Sequence, residues 1–127
     1  MGNSSHSTAV IQIPFTQPSD IRDKCIFGNV PHGRSFLEKI NPIEFAFKNR
    51  ITGLIKDPEG KRRYGFSAQE VLEAEADHPV IVSAENPELL MMTPDHMLPI
   101  LVNAIKEMSA EMNIMSDEIK ELKKKIL

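Results

Sequence analysis

A chain of 127 residues is the size of one small domain, long enough to bury one core but not two. Its 15 Lys and Arg against 18 Asp and Glu leave a formal net charge of −3, so no basic face dominates and non-specific nucleic-acid binding is disfavoured. The single cysteine, Cys25, excludes an internal disulfide and a Cys-rich zinc site.

The opening residues, MGNSSHSTAVIQ, have neither a basic nor a long apolar region, so they do not read as a secretory signal. His6 stands where a myristoylation motif needs Ser or Thr. No apolar run approaches the ~20 residues of a membrane span. The expectation is a soluble domain from a reducing compartment, without membrane contact. Residues 1–18 differ from the rest of the chain: a small polar start, a strand-like run TAVIQIPF, then Pro14 and Pro18 holding the backbone extended or in turns. They read as the tail of something upstream, or as an overhang, outside the core.

In QPSDIRDK, Ser19 is followed five positions later by Lys24. A serine is a weak nucleophile until a base takes its proton, and a lysine serves as that base only when burial or a nearby positive charge favours the neutral amine. Positions i and i+5 lie about 140° apart on a regular helix and on opposite faces of a strand. A working pair therefore needs a turn or a helix start here. The plainer reading is that Ser19 or Asp20 caps a short helix, with Arg22 in an ordinary ion pair.

A short helix is predicted from Ser35, with Phe36, Leu37 and Ile40 on one side and Asn41-Pro42 as its stop. IEFAF then alternates Ile43, Phe45 and Phe47 inward, DPEG at 57–60 is a turn, and KRRYGF returns as the partner strand. Residues 43–66 thus read as a hairpin with a long excursion carrying Lys56, Lys61, Arg62 and Arg63. SAQEVLEAEA is a helix whose Ser67 and Glu70 make a capping box. HPVIVS is a short strand, and Thr93, Pro94 and Asp95 mark the next helix start, which Pro99 should kink or delay.

The last third carries the clearest periodicity. Leu98, Leu101, Ile105, Met108, Met112, Met115, Ile119, Leu122 and Ile126 follow an unbroken 3,4 spacing, the a and d positions of a heptad. This predicts a left-handed, self-associating coiled coil, against one long amphipathic helix packed on its own domain. The three methionines specify oligomer number poorly.

Four ordered blocks, SDIRDK, FLEKINPIEFAFK, YGFSAQEV and PDHMLPILVNAIKEM, resemble the C-terminal intramolecular chaperone domain of phage tail spikes and fibres, the endosialidase chaperone of peptidase S74 type. The same module occurs in the eukaryotic myelin regulatory factor. The resemblance spans about Ser19 to Met112. Its most specific parts are the S-D-x-R-x-K box, Ser19, Asp20, Arg22 and Lys24, and the G-F-x-A-Q-E-V box, Gly65 to Val71. It implies an α+β fold, predominantly helical, with residues 1–18 as fibre stub, 19–93 as core and 94–127 as coiled-coil helix. It further implies a homotrimer that sets the register of an upstream fibre segment of the same polypeptide and then cuts itself off at Pro18–Ser19.

By that resemblance Ser19 is the nucleophile and Lys24 the general base. Asp20 and Arg22 position the turn, and Gln69 and Glu70 are supporting residues. The ring of Pro18 restricts the acyl group, which implies slow cleavage. Assembly would take place in the host cytoplasm, with the upstream product in the virion tail. No cofactor, metal or nucleic acid is implied. The alternatives are a trimerisation module of the same fold with a silent dyad, or the self-cleaving domain of a membrane-bound transcription factor. His32, His78 and His96 fall in turn and cap positions without metal-ligand spacing. Cys25 with Ile26 and Phe27 is expected in the core, and Tyr64 covering it.

Overall fold

A computed structural model describes residues 9–126; the polar start of the chain, with His6, and Leu127 lie outside them. The elements in chain order are α1 (Arg34–Glu38), β1 (Ile43–Phe45), β2 (Arg63–Gly65), α2 (Ala68–Glu75), β3 (Val82–Ser83), β4 (Met91–Met92) and α3 (Met97–Ile126), with short 3₁₀ turns at Ile21–Asp23 and Pro94–His96. The fold is α+β with two small antiparallel sheets, β1–β2 and β3–β4, and one long helix.

The core is small and lies where α1, α2, β3 and the start of α3 meet. Phe36 and Ile40 from the α1 region, Val71 and Ala74 from α2, Ile81 and Val82 around β3, and Met97 and Ile100 from α3 form one buried cluster. Truncating Phe36, about 1% exposed, would cost roughly 3–5 kcal/mol by lost burial plus cavity. Glu75 is the one buried charge among the described residues. Its carboxylate accepts the backbone N–H groups of Val80, Ile81 and Val82, so the loop entering β3 finds its partners in one side chain. Ala76, which ends α2, is held at φ 60, a left-handed conformation an alanine seldom adopts.

Helix α1 is pinned to α3 by charge. Glu107 accepts the N–H of Arg34, and Arg34 pairs with Glu111. Gly33 makes room for this: a Cβ there would stand 2.0 Å from Glu107 Oε1. Asn103 donates to the carbonyls of Val30 and His32, strapping the incoming segment onto the same helix.

The expected hairpin with a long excursion forms, and the excursion carries structure of its own. The sheet register pairs Ile43 with Gly65 and Phe45 with Arg63. The chain then turns at Asn49–Gly53, bridges Lys48 to Ile55, and turns again at Pro58–Lys61, one residue later than expected. Asp57 is not the first residue of that turn, because its carboxylate accepts the Phe47 N–H and two bonds from Arg63. The guanidinium also lies over the Phe47 ring, 5.1 Å from its centroid. The expected inward alternation is not realised: Phe45 and Ala46 are half-buried, while Ile43 and Phe47 are exposed. Tyr64, expected to cover the core, is also exposed, because β1–β2 stands out as an arm with no layer on that face.

Pro99 falls in the first turn of α3, where its missing N–H costs nothing, and the 3₁₀ turn before it delays the start as expected. Met91–Met92, just before that start, pair as β4 with β3. α3 runs 30 residues, about 45 Å. Met97, Ile100 and Ala104 bury one face of its first two turns, and from Ile105 to Ile126 every residue is exposed. All nine seam residues, Leu98 through Ile126, are at least two-fifths exposed in the single chain. Among the described residues, no helix is long and apolar enough to cross a membrane.

Candidate functional site

Asp20 builds the local geometry of the first box. Its carboxylate accepts the N–H of Arg22 at 2.9 Å and grips the Arg22 guanidinium through three bonds of 2.7–3.2 Å. The backbone closes around it, Asp23 N–H to the Asp20 carbonyl and Lys24 N–H to the Ile21 carbonyl. This makes the Ile21–Asp23 turn, with Asp20 and Lys24 extended on either side. A regular helix or strand would part Ser19 from Lys24; the tight turn brings them together. Lys24 Nζ donates to Ser19 Oγ at 2.7 Å. The Arg22 guanidinium, bonded to Asp20 and donating to its carboxylate, holds that carboxyl below the usual range.

The site is open. Every residue from 9 to 31 is exposed in the single chain, Ser19 and Lys24 included. Phe15, Ile21, Ile26 and Phe27 lie uncovered near it in sequence, Phe27 completely. Cys25, expected in the core, is exposed as well, because the segment runs along the outside until Asn103 catches it at Val30.

The second box is accounted for by the fold. Gly65 lets the Phe45 ring approach to 3.0 Å of where a Cβ would stand, Phe66 packs against the core, and Val71 is buried within it. Ser67 caps α2 by accepting the Glu70 N–H at 3.2 Å. Only half of the capping box forms, since the Glu70 carboxylate reaches instead to the backbone and side chain of Asn41. Among the described residues, neither Gln69 nor Glu70 hydrogen-bonds to the dyad, and Gln69 faces solvent.

His32, His78 and His96 come together in the fold. They meet around one apolar hollow of about 580 Å³, with Val30, Ile81 and Ile100 in its lining. His32 stacks on Phe36, centroids 4.7 Å apart. Among the described residues, no group of three or more His, Cys, Asp or Glu is placed to hold a metal ion. The strap by Asn103, the Arg34–Glu107–Glu111 anchor and the role of Glu75 carry no sequence signal, because each joins residues that only the fold brings together.

The model of the S74 peptidase family, described as the chaperone of endosialidase, matches residues 19–79, beginning at Ser19. The match supports reading residues 19–79 as an endosialidase-type chaperone domain. The match takes in the Ser19–Lys24 turn, α1, the arm and α2, and stops before β3 and the long helix. No curated relative and no solved structure matches the chain.

Proposed function

We propose that this endosialidase-type chaperone domain assembles into a trimer through α3, sets the register of the fibre segment preceding it, and releases itself by cutting Pro18–Ser19. The observation that carries the reading is the 2.7 Å contact between Ser19 Oγ and Lys24 Nζ, formed across a turn that Asp20 caps on an exposed segment. The unpartnered seam on α3 supports the assembly half.

The chemistry follows from where the serine sits. Neutral Lys24 takes the Ser19 Oγ proton as the oxygen attacks the Pro18 carbonyl carbon, the group immediately before its own nitrogen. The tetrahedral adduct collapses as the protonated amine returns that proton to the Ser19 nitrogen. The C–N bond breaks, leaving an ester between the Pro18 acyl group and Ser19 Oγ. Water then hydrolyses the ester, giving a Pro18 carboxylate and a free Ser19 hydroxyl and amine. Lysine in open solvent is held charged, so the base form requires the site to be covered. The uncovered Ile21, Ile26 and Phe27 offer the apolar surface that a neighbouring chain would cover on assembly. Trimerisation would thus precede cleavage, and cleavage would make it irreversible.

Intact-mass spectrometry tests this. The expressed chain should yield a fragment beginning at Ser19, absent in Ser19→Ala and in Lys24→Ala. A full-length mass that persists in an associated wild-type chain would remove the protease and leave a silent assembly module.

A further inference from the structure

The segment that carries Ser19 and Lys24 is tied to the body of the fold by one side chain. From residue 9 to residue 29 the hydrogen bonds of the described residues stay within the segment, and every residue there is exposed. The first bonds to the rest of the chain come from Asn103, whose amide nitrogen donates to the Val30 carbonyl at 3.2 Å and to the His32 carbonyl at 2.9 Å. Asn103 is half-buried on α3 and stands outside the 3,4 repeat of apolar residues.

The grip suits its target. Pro31 lies between the two accepting carbonyls, and its ring fixes φ and removes the N–H, so Val30–Pro31–His32 offers α3 a stiff pair of acceptors. His32 also stacks on Phe36, which is buried in the core. One turn further along α3, Glu107 takes the Arg34 N–H, so successive turns of the helix hold successive residues of the chain.

Between the grip and the Ser19–Lys24 turn lies a pivot, Gly28, held at φ 151, a conformation that residues with a side chain rarely adopt. Val30 stands six residues after Lys24, so the grip keeps the turn within about 20 Å of α3. Without it the next tie is Arg34 to Glu107, ten residues after Lys24, and the reach grows to about 35 Å. The volume open to the turn then rises about fivefold. The 2.7 Å contact itself is internal to the turn, so losing the grip leaves the pair intact and frees only its place. An exposed lysine stays charged until apolar surface covers it, and a cover has to meet the turn at one place.

We propose that Asn103 is a positioning residue for the self-cleavage, holding the Ser19–Lys24 turn at a fixed distance from the start of α3. This rests on the self-cleavage reading and adds to it a residue, outside both sequence boxes, that governs its rate.

The test uses the full chain and two substitutions. Asn103→Leu is close in size, suits a helix and donates nothing, whereas Asn103→Gln keeps both amide protons. Formation of the Ser19 fragment, followed by intact mass, should slow about tenfold in Asn103→Leu, since it loses two hydrogen bonds each worth about a factor of five or less. Asn103→Gln should stay within about threefold of wild type. The urea midpoint and the sedimentation should be the same in all three chains, because residues 9–31 add nothing to the core. Cys25, the only cysteine, reports on the turn directly. In a Ser19→Ala chain that cannot cut, a nitroxide on Cys25 should give a sharper, more mobile spectrum with Asn103→Leu and an unchanged one with Asn103→Gln. Wild-type cleavage in Asn103→Leu, a Gln variant as slow as the Leu variant, or a Cys25 spectrum indifferent to both would overturn the proposal and leave the self-cleavage reading standing. So would a urea midpoint that falls in step with the cleavage rate, which would make Asn103 a residue of the fold alone. A wild-type chain that never cuts would overturn the proposal together with that reading.

Discussion

At the residue scale, the proposed cleavage turns on one proton. Lys24→Arg keeps the positive charge and can still donate to Ser19 Oγ, but a guanidinium does not give up its proton in a protein. It should therefore retain assembly while the Ser19 fragment disappears, read by intact mass. Cleavage at the wild-type rate in that variant would show that the lysine serves only to hold the turn. A second residue-scale expectation concerns the arm. The Arg63 guanidinium and the Phe47 N–H pull the Asp57 carboxyl down to about 2 from 3.8. A depressed folded value means that the lock contributes stability above pH 3.8 and loses it as pH falls from there towards 2. Carboxyl NMR should place the Asp57 midpoint at about 2, and in Arg63→Ala it should move back towards 3.8. A wild-type midpoint near 3.8 would mean that the arm is not clamped.

At the scale of elements, local sequence set what forms and tertiary partners set where it ends. The α2 cap at Ser67, the delay of α3 by Pro99 and the pairing of β1 with β2 were legible, because each depends on residues close in sequence or on a strict period. The direction of the arm's side chains was not. A period-2 pattern assumes a packed layer on one face, and β1–β2 has only its own ion pair and ring contacts there. The end of α2 depends on a partner beyond the helix: Glu75 collects the N–H groups of residues 80–82, and Ala76 between them is left-handed. Ala76→Gly should relieve that conformation and raise stability by about 1 kcal/mol, measurable as a higher urea midpoint at unchanged slope. A midpoint lower than wild type would show that the backbone there is not strained.

At the scale of the molecule, two surfaces of the single chain stand exposed. Its core holds only the few side chains gathered by α1, α2, β3 and the head of α3, while the stripe on α3 and the segment around Ser19 and Lys24 remain uncovered. The 3,4 spacing was legible as a strict repeat, and in the single chain it lies on an exposed face of α3. The contact between Ser19 and Lys24 was not legible from the first box alone, since Ser and Lys five apart mean little until a turn joins them. Ile105→Asp places a charge in the seam without touching the core, so it should leave a folded monomer by sedimentation and circular dichroism. Association unchanged by it would place the interface elsewhere.

The most direct measurement is the N-terminal sequence of whatever fragment the assembled wild-type chain releases on incubation. Self-cleavage before Ser19 predicts Ser-Asp-Ile-Arg. A fragment starting at any other residue, or an assembled chain that remains whole, would contradict it.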